Sequence, residues 1–258
     1  MPSAAPIPAL PASWTALEAE LDAWAASGRA ARFWWRDDDA TQPGPRLERL
    51  FALAEDLPLA LAVVPAALDP GLAAVLPPAV RVLQHGYAHA NHAPAGAKKA
   101  EFGDHRPLPV MLVELAAGRV RLEAAFGDRF APVLAPPWNR IGAVAGRIGE
   151  AGLTALSLHA DRIAAPGLPH RNVHLDILAW TPAPHFAGLE AVLPPLLDRL
   201  RRARQTDGGA PIGVMTHHRV HDAAGWSFLA DLVALLSGHP GAAWADPFAP
   251  DPFAAGAT

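Results

Sequence analysis

Apolar and polar positions change period repeatedly along this chain. Leu47, Leu50, Phe51, Ala54 and Leu57 recur at helical spacing, whereas Leu59 to Val64 and Val80 to Gln84 are short continuous apolar runs of the kind buried strands show. Upstream, the pattern predicts a helix that starts at Thr15, where Thr15 and Glu18 fit a capping box, and stops at Gly28. An aromatic strand, Arg32 to Arg36, follows and ends at Asp37, Asp38 and Asp39. Further strands are expected at Pro132 to Ala135, Ala155 to Leu158, Val173 to Leu178, Ile212 to Thr216 and Ala242 to Ala245. Helices are expected over Leu108 to Phe126, after Asn139 to about Ala151 with Gly152 in the capping position, and over Trp226 to Leu236. Leu189 to Arg204 also reads as a helix, with a kink at Pro194 and Pro195. The stretch from Gly86 to Arg106 has no period and reads as a long loop.

Strands and helices that alternate in this way imply βα units and a mostly parallel sheet. No linker and no repeat of fixed period divides the chain, so a single closed or nearly closed βα barrel is expected. The divisions expected are a helical segment over residues 1–31 packed on the barrel, the barrel over 32–246, and a poorly ordered tail over 247–258.

Composition narrows the chemistry. The 258 residues include 12 histidines and no cysteine, so any transition metal must be held by nitrogen and oxygen. A net charge of −4 argues against a nucleic-acid partner. Lys98 and Lys99 are the only lysines among 21 basic residues; this arginine excess reads as coding bias and not as a phosphate-binding surface. The first residues lack a basic segment followed by an apolar run, and no apolar stretch is long enough to span a bilayer. The expectation is a cytoplasmic protein without a membrane partner.

Polar residues collect where the expected strands end. Asp37 to Asp39 follow the first strand, and His85 and His89 follow the one at Val80. Pro136-Pro137-Trp138-Asn139, His159 with Asp161, His174 with Asp176, and His217 with His218 fall likewise at or near the ends of others. In a parallel barrel these ends open on one face. Two imidazoles four residues apart, completed by an aspartate from a neighbouring strand, make a nitrogen–oxygen set that leaves positions open for water. A second aspartate beside the ligand could take a proton from that water, and a histidine opposite could donate one to a leaving group.

The ordered set, from Phe33 to His217, resembles the NodB-homology polysaccharide deacetylases. Asp38-Asp39-Ala40 is similar to that family's Asp-Asp-Gly, although a register one residue earlier, Asp37 with Asp38, fits too. His85-Gly86-Tyr87-Ala88-His89 is similar to His-Ser/Thr-x-x-His, and Ala135-Pro136-Pro137-Trp138 to Arg-x-Pro-Tyr. Asp176-Ile177-Leu178-Ala179-Trp180 is similar to Asp-x-x-Asp-Trp, and Met215-Thr216-His217 to Leu-x-His. The resemblance implies an α/β fold, a distorted (β/α) barrel of about seven βα units. It implies a divalent metal, zinc for preference, on Asp39, His85 and His89, with Asp38 as base and His217 as acid. The backbone N–H of Trp138 would face the oxyanion, and Trp138, Asn139, Asp176 and Trp180 would line the substrate pocket. The activity implied is release of acetyl from an N-acetylated sugar or a related small amide by metal-activated water.

The chain departs from the family at three points: Ala135 stands for the arginine that steadies the base, Ala179 for the second aspartate of the fourth motif, and Ala40 for the glycine of the first. Arg36 or Arg140 is expected to supply the missing positive charge, and Asp176 or Asp222 the missing carboxylate. The rewritten surroundings motivate two alternatives: a glycan-binding protein that has lost turnover, or a hydrolase of another non-peptide C–N bond.

Overall fold

The computed structural model describes residues 13–206 and 210–249. Helix α1 spans Trp14–Ala26, and its cap is Ser13, whose extended backbone turns its hydroxyl to accept the Ala16 N–H. Thr15, the expected cap, already lies inside the first turn. Strand β1 then runs Ala31–Ala40 and does not stop at the aspartates. Their backbone stays in the ladder because flanking strands continue on both sides: Asp37 pairs with Leu61 on one side and Thr216 on the other. Helix α2 (Pro45–Ala54) buries Leu47, Leu50, Phe51 and Ala54, the face its spacing predicts. Next come β2 (Leu59–Val63), the short α3 (Leu72–Val75), β3 (Val80–His85), α4 (Leu108–Phe126) and β4 (Phe130–Ala135).

The helix expected after Asn139 is a 3₁₀ segment, Ala143–Ala151, which contains the weak helix formers Gly146 and Gly149 and closes on left-handed Gly152. After β5 (Ala155–Leu156), the single strand expected at 173–178 splits into β6 (Leu175–Asp176) and β7 (Leu178–Ala179). The Asp176 carboxylate accepts the Leu178 N–H and turns the chain, and β7 then pairs antiparallel with β8 (His185–Phe186). Helix α5 (Leu189–Gln205) continues through Pro194 and Pro195, held by Val192, Leu193, Leu196, Leu197 and Leu200 in the core. Strand β9 (Ile212–Thr216), α6 (Ala223–Gly238) and β10 (Ala242–Trp244) complete the described elements.

The main sheet is parallel throughout, in the order β5-β4-β3-β2-β1-β9-β6. β10 pairs with the start of β1, opposite β9, before β2 begins. Isolated parallel bridges, Leu156 to His170 and His159 to Val173, join the β5 edge to the segment that leads into β6. The sheet therefore curls into the distorted single-domain barrel that the pattern implied. Trp34, Ala60, Ala62, Leu83, Val133, Ala135 and Met215 fill its interior. Phe248 meets Trp34 edge-on and Arg171 bonds the Pro247 carbonyl, so residues 247–249 of the expected tail pack against the barrel; the rest lies outside the described residues. Among the described residues, no helix is long and apolar enough to cross a membrane.

Candidate active site

All the long strands point the same way, so the ends of β1, β3, β4 and β9 share one mouth. Strict alternation along β1 would send Asp38 and Asp39 to opposite faces. The register to β2 breaks between Asp37 and Ala40, and Asp39 takes a left-handed backbone at φ 69°. That bulge turns Asp39 back toward the mouth beside Asp38.

Asp39 Oδ1 lies 3.0 Å from His85 Nε2 and 3.2 Å from His89 Nε2. Among the described residues this buried oxygen has no hydrogen-bond partner. The three donor atoms lie within 4.8 Å of one another, as ligands of a common centre do. His85 Nδ1 sits 2.8 Å from the Ala135 carbonyl and donates its proton there, which leaves the Nε2 lone pair directed at Asp39. Burial alone would raise Asp39, but contact with both histidines outweighs it and holds the carboxyl far below its ordinary range. Burial would likewise lower His85, yet Asp38 and Asp39 raise it. The spot thus draws positive charge, and its donor set fits a divalent ion that accepts nitrogen and oxygen.

The turn that carries His89 is fastened by Glu101, a fully buried residue of the long loop. Its carboxylate accepts the N–H groups of Tyr87 (3.2 Å) and Ala88 (2.7 Å). A Cβ on Gly86, whose φ is 62°, would stand 2.0 Å from that carboxylate and 2.7 Å from Pro137. This close approach explains glycine where the resembling family carries serine or threonine.

Asp38 is gripped by Arg36, two residues back on the same strand and face. Nε and Nη2 each donate to one carboxylate oxygen at 2.8 Å, and both side chains are buried. The guanidinium also donates to the Ser157 carbonyl and hydroxyl and to Asn139 Oδ1. Of the two arginines expected to supply positive charge beside Asp38, Arg36 reaches it, while Arg140 reaches the Lys99 carbonyl instead. Asp37 faces away from the mouth, bonded to the Thr216 hydroxyl and to the His218 backbone and ring. Burial would raise Asp37, but His218 and Thr216 hold it below its ordinary range. Of the two registers open in the sequence, the geometry pairs Asp39 with the histidines and leaves Asp38 beside them.

His217 stands opposite, its Nε2 3.9 Å from Asp38 Oδ2 and its ring against the edge of Trp180. Among the described residues its buried Nδ1 has no hydrogen-bond partner. Neither candidate carboxylate reaches it: Asp222 caps α6 and accepts the Phe186 N–H, and Asp176 bonds Leu178 and the Trp180 indole.

A cavity of about 520 Å³ opens over this group. Trp138, Asn139, Asp176 and Trp180 all line it, as do Lys99, Arg140, His159 and Met215. Trp138 packs on the His89 ring at 4.6 Å, while Asn139 chiefly buttresses Arg36. Burial pushes His159 below its ordinary value, so it faces the cavity as a neutral ring. Among the described residues six non-glycines have positive φ, and Asp39, His89, Trp138 and Asn139 are four of them. Left-handed backbone is cheap for asparagine, aspartate and histidine and costly for tryptophan, so the strain at this mouth falls on Trp138. Sequence reasoning passed over Ser157 and placed Glu101 only within the long loop. The signal for Ser157 was available, a hydroxyl inside the apolar run Ala155 to Leu158.

No protein-family model matches the chain, and no curated protein matches it. Solved structures do. A family 4 carbohydrate esterase from Streptomyces lividans, in complex with acetate, is 17% identical over 81% of this chain and 88% of its own, with a TM-score of 0.50. A family 4 acetyl xylan esterase from Clostridium thermocellum, in complex with a cobalt ion, is 10% identical over 83% and 87%, with a TM-score of 0.52. A CE4 esterase from Streptococcus mutans is 13% identical over 84% and 85%, also at 0.52. At these identities the likeness is one of fold, and the fold of this chain is that of the family 4 carbohydrate esterases.

Proposed function

We propose that the chain is a metal-dependent hydrolase that removes an acetyl or other acyl group from an N-acylated carbohydrate or a related amide. The observation that carries this reading is the division between adjacent aspartates: Asp39 faces two histidines, and Asp38 beside it is held by an arginine. A divalent ion held by Asp39, His85 and His89, zinc by the chemistry of the donors, would supply Lewis acidity to the acyl carbonyl and to water. Asp38, oriented by Arg36, takes one proton from the attacking water as its oxygen bonds the acyl carbon. His217, across the cavity, gives a proton to the amine nitrogen as the C–N bond breaks. The Trp138 backbone N–H faces the oxygen that gains charge, and the Trp138 and Trp180 rings wall the acyl group. Acetate in one protein of this fold and cobalt in another support the reading.

Metal analysis together with an acetate-release assay on N-acetylated sugars tests it. About one ion per chain is expected, lost along with activity in Asp39→Ala and His85→Ala. Full-rate hydrolysis by those variants would refute the mechanism. The unpartnered Nδ1 of His217 favours a second reading, a sugar-binding protein without turnover. Sugar binding and a bound ion with no acetate released would select it.

A further inference from the structure

The rim of the cavity carries a charge that hydrolysis does not use. Lys99 and Arg140 both line it. The Lys99 ammonium lies 5.9 Å from the centre of the Trp138 ring, and the Arg140 guanidinium donates to the Lys99 backbone carbonyl. Among the described residues neither has a carboxylate partner, whereas Asp38 pairs with Arg36, Asp39 faces the two histidines, and Asp176 accepts from the Leu178 N–H and the Trp180 indole. Arg162 stands nearby, bonded to the Asn139 carbonyl. The chain as a whole bears −4, so a positive rim here is not a general background. The Trp138 ring meets both the Lys99 ammonium and the His89 ring, which links the cationic rim to the candidate metal ligands.

Building on the hydrolase reading, we infer that the substrate carries an anionic group, a carboxylate or a phosphoryl, bound by Lys99 and Arg140 while the N-acyl group sits at the metal ligands. The long loop then selects the substrate through Lys99 and holds the ligand turn through Glu101.

Three probes share the acetamido group and differ in charge: N-acetylglucosamine, N-acetylglucosamine 1-phosphate and N-acetylmuramic acid. With metal-loaded full chain, kcat/KM for at least one anionic probe should exceed that for the neutral sugar by about tenfold, and the excess should shrink in high salt. Which anion is favoured tells phosphoryl from carboxylate. The preference should vanish in Lys99→Met and Arg140→Gln and persist in Lys99→Arg. Calorimetry with the Asp38→Asn protein reads binding apart from turnover and should show the same ranking. Equal kcat/KM for neutral and charged probes overturns the inference and leaves the hydrolase reading standing. Lys99-dependent binding of an anionic probe without acetate release does the reverse.

Discussion

The Arg36–Asp38 pair offers the sharpest test of how this site is built. Both side chains are buried, and the guanidinium makes two 2.8 Å contacts to the carboxylate. A unit-charge pair in contact gains roughly 4 kcal/mol at an effective dielectric near 20, most of which offsets desolvation. Arg36→Met leaves a buried anion without its counter-charge and should cost about 3–5 kcal/mol. It also strips donors from Ser157 and Asn139. At about 2–4 °C per kcal/mol for a chain of this size, the melting point should fall by roughly 6–20 °C. Asp38→Leu alone leaves a buried cation and should be similarly damaging. The double variant removes both charges and should be less destabilised than the sum of the singles by about 2–3 kcal/mol. Urea unfolding of metal-free protein, followed by tryptophan fluorescence, supplies the cycle. Additivity within about 0.5 kcal/mol would mean that the pair is not coupled and that the placement of Arg36 is wrong.

Other perturbations follow from neighbouring features. Gly86→Ala drives a Cβ into Glu101 and Pro137 at a left-handed position, so metal affinity should fall at least tenfold; isothermal titration that finds it unchanged refutes the close approach. Glu101→Gln can accept only one of the two N–H bonds from Tyr87 and Ala88, and limited proteolysis should cut the 86–106 loop faster than in the parent. Burial, with Arg199 nearby for His174 and with His217 and His218 nearby for His221, lowers both rings to about 4. The unfolded chain therefore binds more protons than the native one between pH 6.5 and 4, and stability should fall on acidification through that window, by on the order of 3 kcal/mol per histidine. His174→Asn keeps an acceptor for the Gly213 N–H and should flatten the curve; identical pH dependence of its urea midpoint would count against this cause.

Much of the barrel was legible because its elements are strongly periodic. Helix α4 and strands β2, β3 and β9 stand within a residue of where hydrophobic spacing puts them, while α2 stops at Ala54, before the Leu57 that its spacing included. The mouth was legible for a different reason: in a parallel sheet, polar residues at strand ends must converge. What alternation could not reveal was the choice among three consecutive aspartates. It depends on a bulge made by a left-handed aspartate, and nothing in a run of identical residues marks which one bends. Glu101 was hidden by its loop, since a carboxylate that binds backbone N–H groups leaves no periodic trace. Asp222, by contrast, could have been set aside earlier, because an aspartate just before Ala223-Ala224-Gly225 is a natural helix cap.

Arg36 and Asp38 are neighbours on one strand, and this changes what the rest of the mouth must do. Such a pair is assembled by local strand geometry as soon as β1 is ordered, without waiting for a distant segment to dock. The turn after β4 is thereby released from supplying a counter-charge. Apart from the acceptor at Asn139 and the carbonyl of Ala135, residues 135–140 can be exchanged to reshape the pocket while the Arg36–Asp38 pair stays whole. The strand is a self-contained cartridge, and the pocket around it can change without disturbing the Arg36–Asp38 pair.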